Sequence, residues 1–164
     1  MKITLAVVGK IKEKYWNMAI EEYTKRLSRY ASVSICQTAD EPTPDHASPA
    51  QELQIKEKEG ERLLREIGKY DRSADTYVIA LAIDGRPYDS VGFSKHLESL
   101  QVNGYSHILF VIGGSLGLSD AVLRRADEKL SFSAMTFPHQ MMRVVLLGQI
   151  YRAQRITRGE PYHK

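Results

Sequence analysis

The sequence predicts an α/β fold in which helices flank a mostly parallel sheet. Apolar runs of strand type alternate with segments of helical period, and this alternation is typical of parallel strands joined by crossover helices. A chain of 164 residues is long enough for one hydrophobic core and hardly for two, so residues 1–164 are expected to form a single domain. The predicted strands cover residues 3–8, 33–36, 77–83, 108–112 and 130–137.

The first helix is predicted from a stripe of large residues on one face. Its members recur at the three- and four-residue spacing of an amphipathic helix. We interpret the stripe as core-facing, because aromatic residues at helical spacing pack inside a domain far more often than they stack on nucleotide bases. The stripe consists of Trp16, Ala19, Ile20, Tyr23, Leu27 and Tyr30.

A charged region follows the second strand. Three prolines within residues 40–49 predict a surface loop, and residues 51–69 are predicted to form a charged amphipathic helix. Its run Lys56-Glu-Lys-Glu59 is expected to be a solvated face. After the third strand, the tetrapeptide Asp84-Gly-Arg-Pro87 predicts a turn.

The last predicted helix, residues 138–157, is apolar around almost its whole circumference near Val144 and Leu147. One surface of so small a domain cannot cover that much apolar area, so a second copy of the chain is the simplest cover. Gly148 would let helices approach closely. The sequence therefore predicts a homodimer through the C-terminal helix.

Two loops predict a small-molecule site. The run Gly113-Gly-Ser-Leu-Gly117 follows the fourth strand, and glycines let backbone groups approach a ligand closely. Residues 130–139 are apolar but broken by serine, threonine and proline, which fits a buried strand that turns into a tight loop. Because ligands of open α/β sheets bind beyond the carboxyl ends of the strands, residues 84–87, 113–117 and 132–139 are expected to converge there.

Charge is distributed unevenly along the chain. The net charge is +3, but residues 138–164 carry +4 and residues 1–137 carry −1. Such a basic segment either neutralises nucleic-acid phosphates or forms a solvated helix face.

Composition also bears on location and on partners. No apolar stretch reaches membrane-spanning length, and the opening run fits a strand better than a signal peptide, so we expect no membrane contact. Cys36 is the single cysteine, which fits a reducing cytoplasm and a protein without a metal site, and it is expected to fill the core.

The glycine loop fits neither a dinucleotide fingerprint nor a Walker loop, because the spacing and the lysine that they require are absent. It does match the nucleophile elbow G-x-S-x-G, and an α/β-hydrolase-like serine esterase using Ser115, Asp127 and His139 is the alternative. Against the esterase, Ser119 is the expected N-cap of the next helix, which separates Ser115 from the required sharp turn.

Four motifs carry a family resemblance that extends over almost the whole chain. They are Val111-Ile-Gly-Gly-Ser115, Leu130-Ser-Phe-Ser-Ala-Met-Thr-Phe-Pro-His139, Arg143-Val-Val and Pro161-Tyr-His163. Together they resemble the signature of the small SPOUT-superfamily methyltransferases that act on N3 of a pseudouridine in bacterial 23S ribosomal RNA.

The resemblance implies a C-terminal trefoil knot, a rare exception to unknotted chains, in which S-adenosyl-L-methionine binds. An apolar pocket without lysine or arginine suits the adenine ring and the sulfonium cation. The cofactor contacts that the resemblance implies are Leu81, Gly113, Phe132, Ser133, Ala134, Met135, Thr136 and Phe137.

The basic C-terminal segment supplies the remaining candidates. We expect His163 to remove the proton of the target base, Arg152 to stabilise negative charge on the base oxygens, and Tyr162 to stack on or hydrogen-bond the base. Arg155, Arg158 and Lys164 are expected to contact RNA phosphates. With no appended RNA-binding domain, the expected substrate is rRNA in the assembled ribosome. A non-enzymatic ribosome-binding protein is a further alternative.

Overall fold

The computed structural model describes residues 1–164, which form five strands and five helices. The strands are β1 (Lys2–Val8), β2 (Ser32–Thr38), β3 (Thr76–Pro87), β4 (His107–Ile112) and β5 (Glu128–Ser131). The helices are α1 (Lys14–Leu27), α2 (Pro49–Gly68), α3 (Ser90–Val102), α4 (Asp120–Arg125) and α5 (His139–Thr157). The strands make one sheet in the order β2-β1-β4-β3-β5, and every neighbouring pair is parallel. The predicted α/β class is confirmed.

The two central strands are apolar along nearly their whole length. All six residues of β4 are buried, as are six of the seven residues of β1. A strand that is covered on both faces reads as a continuous apolar run, because helices pack on each side of a parallel sheet. On one face, Leu5 and Phe110 pack against α1, α3 and α5. On the other face, Ala6 and Val111 pack against α2 and α4.

The predicted stripe on α1 faces the core. Ile20 and Leu27 are buried, and Trp16 and Tyr23 are half-buried against the same cluster. Tyr30 lies beyond the end of α1, half-buried, and its hydroxyl bonds to the C-terminal segment. The interpretation as a core face is therefore confirmed for the helix itself.

The fifth strand is shorter than expected. The prediction of a strand over residues 130–137 was wrong beyond Ser131, where β5 ends. The hydroxyl of Ser131 donates to the carbonyl oxygens of Ile83 and Ser133, and the hydroxyl of Ser133 accepts from the Met135 N–H. These local bonds compete with strand pairing and turn the chain. Residues 132–137 form a loop instead.

The turn expected at residues 84–87 is a bulge inside β3. Pairing with β5 shifts between Leu81 and Arg86, so the intervening residues bulge out before the strand resumes. A Cβ on Gly85 would lie 2.7 Å from the carbonyl carbon of Leu130, a contact too close for any side chain. Glycine thus allows the strands to rejoin after the bulge.

Two side chains differ from their expected burial. Glu59, expected on a solvated face of α2, is 4% exposed. Cys36, expected in the core, is half-buried because β2 is an edge strand. Burial raises the pKa of the Cys36 thiol, and a hydrogen bond with Glu66 adds to the effect.

The C-terminal helix α5 begins at His139, one residue after the predicted start, and packs mainly against α1 and α3. Leu146, Leu147 and Ile150 are buried, whereas Val144 and Val145 remain half-buried. Each helix is too short or too polar to span a lipid bilayer. The trefoil knot implied by the family resemblance stays a prediction.

Candidate functional site

Three loops enclose a cavity of about 600 Å³, here called the loop pocket. Two of the loops follow the carboxyl ends of β4 and β5, and the third is the bulge within β3, from which residues 81–84 line the cavity. This is the edge of the sheet where the sequence places the site, and Asp84 is the member of the predicted turn 84–87 that lines the cavity. Seven of the eight predicted cofactor contacts line it, while Ala134 does not. Those seven residues are Leu81, Gly113, Phe132, Ser133, Met135, Thr136 and Phe137.

The glycines of the loop after β4 are required by close backbone contacts. A Cβ on Gly113 would lie 2.6 Å from the carbonyl carbon of Gly117, and a Cβ on Gly114 would lie 3.1 Å from the Glu59 carboxylate. Gly117 has a φ of +84°, which disfavours other residues. The loop therefore doubles back tightly and presents backbone groups to the pocket.

The helix α2 supports this loop from behind. The Glu59 carboxylate packs on Gly114 and accepts the Glu41 N–H at 3.0 Å. Burial raises the pKa of Glu59, although the hydrogen bond from Glu41 opposes the shift. The next residue, Gly60, lies so close to Ser119 that a Cβ would approach its hydroxyl oxygen to 2.2 Å. Ser119 caps α4 by accepting the Val122 N–H, as expected.

The loop pocket contains no lysine or arginine. Its ionisable members are Asp84, which pairs with Lys129 outside the pocket at 3.0 Å, and His139 at the start of α5. Burial lowers the pKa of His139, and the nearby Arg143 lowers it further. His139 is therefore held neutral, and the pocket wall carries no cation.

Arg143 ties α5 to the end of β1. Its guanidinium is fully buried and donates to the carbonyl oxygens of Val8 and Gly9 at 2.8 and 2.9 Å. Burial lowers its pKa to about 10, which still leaves it charged at neutral pH. This contact holds the first turn of α5 beside the pocket.

The three predicted catalytic residues lie together at the other end of α5. Arg152 Nη1 lies 3.2 Å from His163 Nδ1, and the Arg152 guanidinium lies 4.7 Å from the Tyr162 ring centre. The Tyr162 ring also packs edge-on against Tyr151, with ring centres 5.0 Å apart. The tail cluster, as we call it, consists of Arg152, Tyr162 and His163 together with Tyr30, Arg155, Arg158, Glu160 and Pro161.

Within one chain, the tail cluster is remote from the loop pocket. Thirteen positions separate His139 from Arg152 along α5, which corresponds to about 20 Å at the helical rise. Tyr30 lies two residues before the start of β2, so the cluster lies at the amino edge of the parallel sheet, opposite the pocket. The structure thus forms each half of the predicted site but does not join them in one copy.

The predicted RNA-binding residues differ in how free they are. Arg155 is engaged by its own chain, through Glu160, Tyr30 and the carbonyl oxygen of Pro161. Arg158 is exposed and stacks 4.9 Å over the Tyr30 ring, and Lys164 is exposed. Arg155 is therefore a poor candidate for a phosphate contact, while the other two remain accessible.

The esterase triad does not form. Ser115 and His139 both line the pocket, but Asp127 precedes β5 at the opposite edge of the sheet. Its carboxylate accepts the Val78 N–H at 2.8 Å. No group of three or more His, Cys, Asp or Glu side chains is placed to hold a metal ion.

The sequence analysis assigned no role in the site to Glu59, Tyr30 or Glu160. Glu59 sits in a Lys-Glu run whose composition is that of a solvated helix. Glu160 is the only acidic residue in the last 27, and that isolation among basic residues was a signal of an internal ion pair.

The sheet, the glycine loop and the cation-free pocket define an α/β protein with a small-molecule site beyond its strand ends. Comparisons with known proteins identify the class further. A family model described as "Predicted SPOUT methyltransferase" matches residues 1–163. The chain belongs to the SPOUT methyltransferase family.

Similar proteins cover the whole chain. This chain is 57% identical over 164 residues to "Ribosomal RNA large subunit methyltransferase H" of Bifidobacterium adolescentis. It is 56% identical to the protein of the same name from an Exiguobacterium species, and each match covers 100% of both chains. Among solved structures, a probable methylase family protein from Haemophilus influenzae Rd KW20 has a TM-score of 0.51 and 14% identity. That match covers 99% of this chain and 70% of the other, and it supports the fold alone.

Proposed function

We propose that this protein transfers a methyl group from S-adenosyl-L-methionine to N3 of a pseudouridine in 23S ribosomal RNA. Full-length relatives at 54–57% identity bear the name of a large-subunit rRNA methyltransferase, and the family uses a methyl donor. The structural observation that carries the proposal is the loop pocket, which has the apolar walls and the absence of cations that a sulfonium cofactor requires.

The residues of the pocket fit this cofactor. Leu81, Phe132 and Phe137 supply apolar walls for an adenine ring, and Gly113 and its neighbours bring backbone to the pocket wall. A sulfonium group supplies an activated methyl when the cofactor is bound. Burial lowers the pKa of His139, which favours its neutral form, and Arg143 does not line the pocket, because its guanidinium donates to the carbonyl oxygens of Val8 and Gly9.

The tail cluster supplies the chemistry at the base. The imide N3–H of pseudouridine is neutral at pH 7, so its proton must be removed as the methyl group is transferred. Arginine can only donate, so Nδ1 of His163 accepts from Arg152 and the neutral ring carries its proton on Nε2. When Arg152 turns to a base oxygen, Nδ1 becomes free to take the N3 proton, while Tyr162 stacks on the base.

A homodimer would join the two halves. Because the pocket and the tail cluster lie at opposite edges of the sheet, two antiparallel copies would each place a tail beside the partner's pocket. The faces available for pairing include the half-buried side of α5 and the neighbouring α1, where Tyr15 is 64% and Met18 67% exposed. The dimer would then contain two equivalent composite sites.

Substrate contacts follow from the same arrangement. Arg158 and Lys164 would bind phosphates beside the target base, with Arg155 acting through the tail. The chain has little surface for reading sequence, so recognition would use the shape of rRNA in the assembled ribosome, in the cytoplasm. A protein that only binds ribosomes is the alternative that an activity assay separates.

The test is transfer of a labelled methyl group from S-adenosyl-L-methionine. Intact ribosomes, isolated subunits and naked rRNA from cells lacking this gene are the acceptors, and the labelled nucleoside is identified by mass spectrometry. We expect label on N3 of pseudouridine, greatest with the assembled ribosome. Ribosome binding without label on any acceptor would refute the enzyme and favour the binding protein.

A further inference from the structure

The last residues of the chain are held almost entirely by side chains. Among residues 161–164, no backbone N–H donates to another backbone group, and one carbonyl oxygen, that of Pro161, accepts a hydrogen bond, from Arg155 Nη2 at 3.0 Å. Chain termini without backbone bonds are normally disordered. The order of Tyr162 and His163 therefore depends on the groups that anchor Pro161 and its neighbours.

Those anchors form a connected network. Arg155 Nη1 donates to the Glu160 carboxylate and, at 3.2 Å, to the Tyr30 hydroxyl, which in turn donates to the same carboxylate at 2.5 Å. Arg158 covers the Tyr30 ring at 4.9 Å. The network thus links the end of α1, the last turn of α5 and the tail.

The network is better protected from solvent than the exposed pair of Arg125 and Asp71. The side chains of Arg155 and Glu160 are 18% and 27% exposed, whereas those of Arg125 and Asp71 are 35% and 56% exposed. An exposed pair contributes little, but three mutually bonded groups restrict one another's geometry. The hydrogen bond from Tyr30 and the charge of Arg155 both hold the pKa of Glu160 below its usual range, so the carboxylate stays ionised.

We propose that Tyr30, Arg155 and Glu160 are positioning residues that fix Tyr162 and His163 for methyl transfer. The assignment rests on the proposed function, and it replaces the role of Arg155 as a phosphate contact. Arg155 anchors Pro161, Pro161 directly precedes Tyr162, and Arg152 then meets both Tyr162 and His163. Loss of one member releases the tail without touching the loop pocket.

The experiment compares Glu160→Gln and Tyr30→Phe with the wild-type protein. Glu160→Gln removes the charge at similar volume, and Tyr30→Phe removes one hydroxyl while keeping the ring under Arg158. Asp71→Asn is the matched control, because it removes the charge of a carboxylate that pairs with Arg125 of α4, and α4 packs on the face of the sheet opposite α1 and α5. Each variant is measured for single-turnover methylation of ribosomes, cofactor affinity and backbone 15N order parameters at Tyr162 and His163.

We expect methylation to fall about tenfold to a hundredfold in both variants, since small displacements of a reacting group have effects of that size. The order parameters should fall from the rigid range near 0.85 toward values below about 0.6. Cofactor affinity and the Asp71→Asn control should match wild type.

Three outcomes would overturn the proposal. They are wild-type methylation with a loosened tail, slow methylation with an ordered tail, and no change in either measurement. If wild-type protein itself transfers no methyl group, the proposed function fails instead, while the order parameters still report whether the network holds the tail.

Discussion

At its first turn, α5 borders an apolar pocket made of glycine and serine loops, whereas at its last turn it packs against tyrosines and arginines. The pocket end has no lysine or arginine in its wall and contains a histidine whose pKa burial lowers. The tail end has an exposed histidine bonded to an arginine. One helix thus separates an environment that tolerates a cation from one that attracts an anion.

The two ends of α5 meet different chemical requirements, and one copy of the chain keeps them apart. A wall that surrounds a sulfonium must be free of cations, whereas a surface that binds a polyanion must supply them. If the two ends of α5 meet only across two copies of the chain, the loops at the pocket end can suit the cofactor while the tail end suits the RNA. Changes at the tail end should then alter the reaction step, and changes at the pocket end should alter cofactor binding.

The largest effect is expected at the tail. His163→Ala should lower single-turnover methylation by about 10² to 10⁴, the usual range for loss of a general base, because Arg152 can only donate and the Glu160 carboxylate is already bound to Tyr30 and Arg155. Cofactor affinity, measured by calorimetry, should stay unchanged. His46→Asn, a change of an exposed histidine in a distant loop, is the control. Methylation at the wild-type rate would remove His163 as the base.

An intermediate effect is expected at the pocket. Gly113→Ala should weaken cofactor binding about 10- to 100-fold, because the new Cβ cannot lie 2.6 Å from the Gly117 carbonyl carbon and the loop must open. Gly68→Ala is the matched control, since its Cβ would meet nothing closer than 3.5 Å. Calorimetric titration of both variants gives the dissociation constants. Unchanged affinity in Gly113→Ala would show that this turn does not shape the cofactor site.

The smallest effect is expected in how the free energy of unfolding depends on pH. His139 has a lowered pKa in the folded state, so below pH about 6.5 the unfolded chain binds more protons and stability falls as pH falls. The loss is at most about 1.4 kcal/mol per pH unit for this group. His107, whose pKa is lowered by burial and by Lys2, adds a similar slope.

Urea unfolding between pH 7.5 and 5.5 measures this slope. His139→Asn should make this slope shallower, because the titrating group is lost. An unchanged slope in His139→Asn would mean that His139 is protonated as readily in the fold as in the unfolded chain.

The fold followed from the sequence where one physical signal dominated. Buried parallel strands such as β1 and β4 read as apolar runs, and α1 read as a periodic stripe. The end of β5 was misjudged because residues that line a ligand pocket have the same apolar signature as residues in a core. Met135 is 75% and Phe137 39% exposed at the pocket, yet both look like strand interior in the sequence.

The residues of the candidate site could be predicted from sequence motifs, whereas the roles of its charged residues could not be predicted from the charge pattern. Residues 132–137 and Gly113 were found from the two loops and the family resemblance, and the cavity gathers nearly all of them. Charge patterns alone could not assign Glu59 or Arg155. Whether a charged side chain faces water, a loop or another charge depends on contacts distant in sequence, such as that between Tyr30 and Glu160.

The central position of β1 has a consequence for how the chain folds. Leu5 pairs with Phe110, so the first strand made during synthesis must wait for more than a hundred further residues before its second neighbour exists. Contacts so distant in sequence slow folding, and an apolar strand without its partner is prone to aggregate. During that interval, β2 and α2 are the elements available to shield β1. We therefore expect mutations at the interface of these three elements to lower soluble yield in cells more than they lower equilibrium stability.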